Sequence, residues 1–139
     1  MPPRLQEIVE DFNLCVGREK LEYLLEFANK LPPVPDHIDT SEANKDEVHE
    51  CMSPVFIYPE WQGGKVFYHF DIPEEAPTVR GYASVLQEGI GWTTPEEIQK
   101  IPLEFYLGMG LQQVLTGQRL NGITAVLAHM KQLAATGNP

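Results

Sequence analysis

Basic residues are scarce in this sequence. Ten Lys and Arg stand against twenty Asp and Glu, so the formal net charge is −10 over 139 residues. The ten basic residues are scattered along the chain and none form a run. Because a phosphate backbone is bound by a basic stripe, we expect no nucleic-acid partner. An acidic surface suits a protein partner with a basic docking face, although acidity also serves solubility alone.

Long apolar runs are also missing. No window approaches the ~18 consecutive apolar residues that a membrane span needs, so we expect no membrane association. The first residues, Met1-Pro2-Pro3-Arg4, lead straight into an amphipathic pattern without the apolar stretch of a signal peptide. We therefore expect a cytoplasmic protein.

Cysteine is rare, with one thiol at Cys15 and one at Cys51. A small secreted disulfide scaffold would carry more, so a reducing compartment is expected. Two thiols cannot supply the four ligands of a typical zinc or iron–sulfur site. A site built from His49 and Cys51 would offer two ligands where three or four are needed, so no metal site is expected. Cys15 lies beside the apolar stripe of a helix and is predicted to be a small buried hydrophobe.

What is present predicts one α+β domain spanning residues 1–139, in which a small antiparallel sheet packs against several helices. Thr94 to Glu97 form a capping box, with proline at the first helical position. Pro59 to Gly64 are predicted to form the turn of a β-hairpin. Helices are predicted at about 4–16 (with Val16 on the apolar stripe), 19–31, 77–90, from 95, and 118–135, and strands at 55–58 and 65–71. The stretch 103–114 is also predicted to be helical, with interruptions at Gly108 and Gly110.

A polar, proline-containing segment at 32–47 leads directly to Cys51. A structureless stretch of this length is more often functional or mobile than ordinary linker, and we expect it to move. Cys51 would then lie on a loop before a strand, where a structural and a functional thiol are equally compatible with the sequence. Asp46, Glu47 and Glu50 would raise the pKa of this thiol, whereas His49 is the one nearby group that would help to lower it.

A thiol hydrolase with a Cys–His pair is the enzyme alternative. His37, His49, His69 and His129 are available as bases, but no family motif accompanies them. The offset of two residues from His49 to Cys51 rarely orients a base. Each histidine is therefore better explained as a surface or core residue.

The segment Arg119-Leu120-Asn121-Gly122 breaks several local rules at the start of the last helix. A cation there opposes the helix macrodipole, and glycine costs roughly 1 kcal/mol relative to alanine. Either these residues belong to a site, or Arg119 pairs with an acidic residue and Gly122 permits close packing.

Three segments of the chain together resemble the SufE family. The stretch VHECMSPVF at 48–56 is similar to the family's V-x-G-C-x-S-x-V-W motif, and TVRG at 78–81 is similar to its (I/T)-V-(K/R)-G helix start. The stretch LQQVLTGQRLNGI at 111–123 is similar to its L-G-L-x-x-H-L-S-P-S-R-x-N-G-L motif. The chain departs from these motifs at Glu50, where the family has glycine, and at Val114, where it commonly has histidine.

The resemblance implies the SufE/IscU-like fold and a sulfur carrier for iron–sulfur cluster assembly. Cys51 would accept persulfide sulfur from a SufS-type cysteine desulfurase, which it would stimulate, and would pass the sulfur to a SufBCD-type scaffold. Pyridoxal phosphate would belong to the desulfurase, so no cofactor is expected here. Arg119 would lie near the thiol or dock the partner.

The alternative is an adaptor that binds a desulfurase or another protein without transferring sulfur. Partner-binding residues are expected to be His49, Glu50, Met52, Ser53 and Arg80.

Overall fold

The computed structural model describes residues 1–137. In this described part of the chain, six α-helices and one hairpin confirm the predicted α+β class with a small antiparallel sheet. Within these residues no helix is both long and apolar enough to cross a membrane. The elements in chain order are α1 (Pro3–Leu14), α2 (Glu19–Lys30), β1 (Phe56–Gln62), β2 (Lys65–Asp71), α3 (Pro77–Ile90), α4 (Pro95–Gln99), α5 (Tyr106–Met109) and α6 (Gly117–Thr136), with 3₁₀ turns at Glu42–Asn44 and Leu111–Gln113.

The helix starts follow the local signals of the sequence. Helices α1, α3 and α4 each begin with proline, whose missing N–H costs nothing in the first turn. The capping box predicted at Thr94 and Glu97 is present. The Thr94 hydroxyl accepts the Glu97 N–H, and the Glu97 carboxylate accepts the Thr94 N–H. At the start of α6, the Thr116 hydroxyl accepts the Arg119 N–H, which satisfies one of the free donors of the helix.

Two predicted helices end earlier or break. Helix α1 stops at Leu14 because Cys15 adopts an extended backbone, so Val16 is 76% exposed and its predicted place on the apolar stripe is wrong. The interrupted helix predicted over 103–114 is the short α5, which continues through Gly108, followed by a 3₁₀ turn. Gly110 separates the two with a left-handed φ of 76°, a conformation that ends a helix and favours glycine.

The hairpin is longer than predicted, since β1 continues through Pro59 to Gln62. The turn is the pair Gly63-Gly64, whose φ values of 57° and 78° fit a type I′ turn. Ile57 directs its N–H away from β2, to the Asp46 carbonyl. Pro59, two residues later, occupies an equivalent position. The missing N–H of Pro59 therefore costs no hydrogen bond to β2. Because Pro59 to Gln62 belong to β1, the predicted turn at 59–64 is wrong.

The polar segment 32–47 lies along the hairpin. Apart from its 3₁₀ turn it has no regular structure, as predicted. The Lys45 Nζ atom lies 4.8 Å from the centre of the Phe56 ring. The backbone of Glu47 pairs with that of Phe56 in an isolated antiparallel β-bridge. The segment is thus placed by contacts with the first strand, and its mobility stays a prediction.

Helix α3 lies at the centre of the core, with nine of its fourteen residues buried. It packs against α1, α2, α6 and β2. Two glycines allow the close approach of its neighbours. A Cβ built on Gly81 would collide with the Leu24 carbonyl of α2, and one on Gly89 would lie 2.9 Å from the Leu5 Cα of α1.

We expect Gly81→Ala to lower the free energy of unfolding by about 2 kcal/mol, since overpacking outweighs the gain in helix propensity. The Cβ would meet backbone of α2, which cannot swing aside as a side chain can. Urea denaturation measures the change. The matched control is Gly117→Ala at the start of α6, where nothing lies within 4 Å, and it should change stability by less than about 0.5 kcal/mol. Equal stability of the two variants would contradict tight packing at Gly81.

Candidate functional site

Cys51 lies on a loop whose two ends are fastened together. The Val48 N–H donates to the Val55 carbonyl at 2.9 Å, and the Cys51 N–H donates to the Val48 carbonyl at 3.3 Å. Val48 and Val55 are fully buried. The loop at 49–54 therefore projects from an anchored base, with Cys51 near its tip.

The thiol of Cys51 rests against helix α6. Its Sγ donates to the Gly122 carbonyl at 3.6 Å, a contact between residues 71 positions apart. A Cβ on Gly122 would lie 3.7 Å from this sulfur, which is an ordinary contact, so packing against the thiol does not require glycine there. The Cys51 loop thus contacts the segment Arg119–Gly122, which breaks local helix rules in the sequence.

A pocket of about 280 Å³ opens beside the thiol. Three segments form it: the Cys51 loop, the start of α3 and the first turns of α6. It brings together Cys51, Arg119 and three of the five residues expected to bind a partner. The lining residues are Glu50, Cys51, Met52, Ser53, Glu75, Ala76, Thr78, Val79, Thr116, Gln118, Arg119, Gly122 and Ile123.

Arg119 is held in the pocket by a hydroxyl group. Its Nη1 donates to the buried Thr78 Oγ1 at 2.9 Å. Within residues 1–137 no carboxylate lies within ion-pair distance of Arg119, so the acidic partner considered from the sequence is not what holds it. The guanidinium thus lines the same pocket as Cys51 without forming an ion pair in the described part of the chain.

His49 and Arg80 lie outside the pocket lining. The His49 side chain is 81% exposed, and its Nδ1 is 3.9 Å from a Glu47 carboxylate oxygen. Arg80 donates to the Ile72 carbonyl at 2.6 Å and to the Ala28 carbonyl at 3.4 Å. Arg80 therefore ties α3 to the ends of α2 and β2, and a role of either residue in partner binding stays a prediction.

Burial raises the pKa of the Cys51 thiol to about 11, and the nearby Glu50 carboxylate contributes in the same direction. The two other acidic neighbours named from the sequence are engaged elsewhere, since Asp46 lies 3.3 Å from His129 and Glu47 faces His49. The free protein therefore holds Cys51 as a neutral thiol at physiological pH.

Cys15 occupies a different environment. It is half-buried, not fully buried as predicted, and its Sγ donates to the Asp11 carbonyl at 3.6 Å. It follows α1 between Leu14 and Val16, which are both largely exposed. Among the residues described, both cysteines are free thiols, and Cys51 is the one that lines the pocket.

Sequence reasoning overlooked the residues that complete the pocket. Thr78, which lies in the TVRG motif, lines the pocket together with Glu75 and Thr116, and none of the three is given a role from the sequence alone. The signal for Thr116 was present, since a threonine just before a helix is a typical N-cap. Thr78 carried no such local signal, because its partner Arg119 is 41 positions away.

Comparisons with known proteins show what the whole chain is similar to. Residues 6–134 match the family model described as "SufE: Fe-S metabolism associated domain". An uncharacterized SufE-like protein of Mycobacterium tuberculosis is 40% identical over 133 residues, covering 95% of this chain and 92% of the relative. A protein of Plasmodium vivax named cysteine desulfuration protein SufE is 23% identical, covering 98% of this chain and 54% of the relative. The solution structure of a hypothetical protein from Thermus thermophilus superposes with a TM-score of 0.82 at 36% identity, covering 99% of each chain.

Proposed function

Because the chain belongs to the SufE family, and so to iron–sulfur metabolism, we propose that Cys51 accepts sulfur from a SufS-type cysteine desulfurase. The sulfur would then pass, in the cytoplasm, to a SufBCD-type scaffold for cluster assembly. The observation that carries the proposal is the position of the Cys51 thiol, which is free and lines a pocket shared with Arg119.

The transfer is a thiol–persulfide exchange. The Cys51 thiolate attacks the terminal sulfur of a persulfide on the desulfurase, a new S–S bond forms on Cys51, and the old S–S bond breaks. The cysteine of the desulfurase leaves as a thiolate, so no external oxidant or reductant is needed. Pyridoxal phosphate would generate the persulfide on the partner, and this chain would contribute the accepting thiol.

The pocket supports the role of a carrier. Its volume of about 280 Å³ is several times the ~30 Å³ that a water molecule occupies in the liquid, so one additional sulfur atom fits beside Cys51. The half-buried position would shelter a persulfide from soluble reductants. Arg119 donates to the neutral Thr78 hydroxyl and lines the same pocket, where its guanidinium would stabilise an anionic persulfide.

The raised pKa of Cys51 supports activation by the partner. A thiol with a pKa of about 11 is a weak nucleophile at neutral pH, because the thiolate is the reactive form. Docking that moves the thiol out of its buried position, or places a cation beside Glu50, would lower this pKa. The net charge of −10 suits a desulfurase with a basic docking face. Met52, 82% exposed at the pocket, offers an apolar contact there.

Mass spectrometry after incubation with a cognate desulfurase and cysteine tests the proposal. We expect the mass increase of one sulfur atom, located by peptide mapping on Cys51, to be lost on treatment with a thiol reductant. The peptide that contains Cys15 is the internal control and should remain unmodified. Sulfur on Cys15, or on neither cysteine, would contradict the proposal.

A further inference from the structure

A second cluster of reactive side chains lies on the hairpin, outside the Cys51 pocket. The carboxylate of Glu60 stands between two imidazoles, with its Oε1 2.8 Å from His69 Nε2 and its Oε2 3.2 Å from His37 Nε2. His69 and Glu60 come from paired strands, whereas His37 comes from the polar segment 32–47. None of the three lines the pocket, so the cluster is independent of the sulfur-transfer site.

We propose that His37, Glu60 and His69 form a binding site for a divalent transition metal, of which Zn²⁺ fits best. Three protein ligands would leave a fourth position of the tetrahedron for water. The sequence alone offers no indication of this site, since 23 and 9 positions separate Glu60 from the two histidines.

The three ligand atoms lie close enough together to converge on one zinc ion. Zinc lies ~2.0–2.2 Å from histidine nitrogen and carboxylate oxygen, so two ligands of one tetrahedron are roughly 3.3 Å apart. One ligand atom from each of the three residues can be chosen so that all lie within 4.8 Å of one another. Glu60 Oε1 lies 2.8 Å from His69 Nε2, and the other oxygen of the same carboxylate, Oε2, lies 3.2 Å from His37 Nε2. Changes in these separations of about 1–2 Å would place all three around one ion.

The donor set selects the class of metal. Two imidazole nitrogens and one carboxylate oxygen suit zinc and its first-row neighbours better than calcium or magnesium, which prefer oxygen ligands alone. Two neutral imidazoles and one carboxylate leave a bound Zn²⁺ with one uncompensated positive charge, and the net charge of −10 on the chain favours a cation overall.

The surroundings hold two of the ligands in place and leave the third accessible. The Gln62 Nε2 donates to Glu60 Oε2 at 3.1 Å, and the Phe67 ring lies 5.1 Å from the His69 ring, centre to centre. Such contacts orient metal ligands. The side chains of His69 and Glu60 are 9% and 19% exposed, whereas that of His37 is 63% exposed. A metal would enter from the His37 side and fasten the polar segment to the hairpin.

The test uses the full chain carrying Cys15→Ser and Cys51→Ser, so that no thiolate competes for the ion. Titration calorimetry should show one Zn²⁺ bound per chain. Co²⁺ in its place should show the d–d bands of a tetrahedral site without a thiolate charge-transfer band. His37→Ala, at an exposed position, should weaken Zn²⁺ binding at least ~10-fold, and His69→Gln should do the same.

The matched control is His49→Ala in the same background, since His49 is exposed and lies outside the cluster. It should leave Zn²⁺ affinity unchanged. Circular dichroism checks that each variant is folded. The proposal is overturned by the absence of saturable Zn²⁺ binding in the cysteine-free chain, or by equal affinity in the His37→Ala, His49→Ala and parent proteins.

Discussion

Cys51→Ser is expected to abolish both sulfur acceptance and the sulfur-dependent stimulation of a cognate desulfurase. A serine hydroxyl is not ionised at neutral pH, so it cannot attack a persulfide without a dedicated base. The hydroxyl is slightly smaller than the thiol and can also donate to the Gly122 carbonyl, so the loop should keep its position. The measurement is the rate of alanine formation from cysteine by the desulfurase, with and without the variant.

Cys15→Ser is the matched control for this experiment, because it removes a half-buried thiol that lies outside the pocket. It should stimulate the desulfurase as the parent protein does. Binding of the Cys51→Ser variant to the desulfurase, measured by calorimetry, separates the two candidate functions. If the variant binds and still stimulates fully, the chain acts as an adaptor that does not transfer sulfur, and the proposed function is wrong.

Alkylation of Cys51 in the free protein is expected to be about 100-fold slower at neutral pH than that of an ordinary thiol. The pKa is raised from 9.0 to about 11, and each unit reduces the thiolate fraction tenfold in the range below both values. The alkylation rate should therefore rise tenfold per pH unit and level off only near pH 11. Iodoacetamide kinetics in the Cys15→Ser background isolate this one thiol.

Glu50→Gln tests the cause of this shift. Burial is the larger cause and Glu50 the smaller, so the variant should move the alkylation profile to lower pH without restoring the ordinary value. Glu47→Gln is the matched control, since Glu47 faces His49 and does not contribute to the shift. A free protein whose Cys51 reacts fully at neutral pH would show that the thiol is not held buried in solution.

Much of the fold was predictable because helix starts and apolar stripes are local. The capping box at Thr94 and the prolines at helix starts lie within single turns, and they were identified correctly. The errors arose where tertiary contacts decided the backbone. Pro59 continues a strand because its missing N–H points away from β2, which depends on the register of the pairing. The interruption predicted at Gly110 is present as a left-handed residue, but the one predicted at Gly108 is wrong, since Gly108 lies within α5.

For the site, the sequence by itself identified Cys51 and the Arg119–Gly122 segment as anomalies and connected both to one family. It could not show that the thiol touches Gly122, since 71 positions separate the two residues. Nor could it show that burial, more than acidic neighbours, raises the pKa of the thiol, because desolvation is a property of the assembled core. The His37–Glu60–His69 cluster was decided by the tertiary structure alone. Strand pairing and the path of the polar segment bring its three ligands together, and neither is encoded in a local pattern.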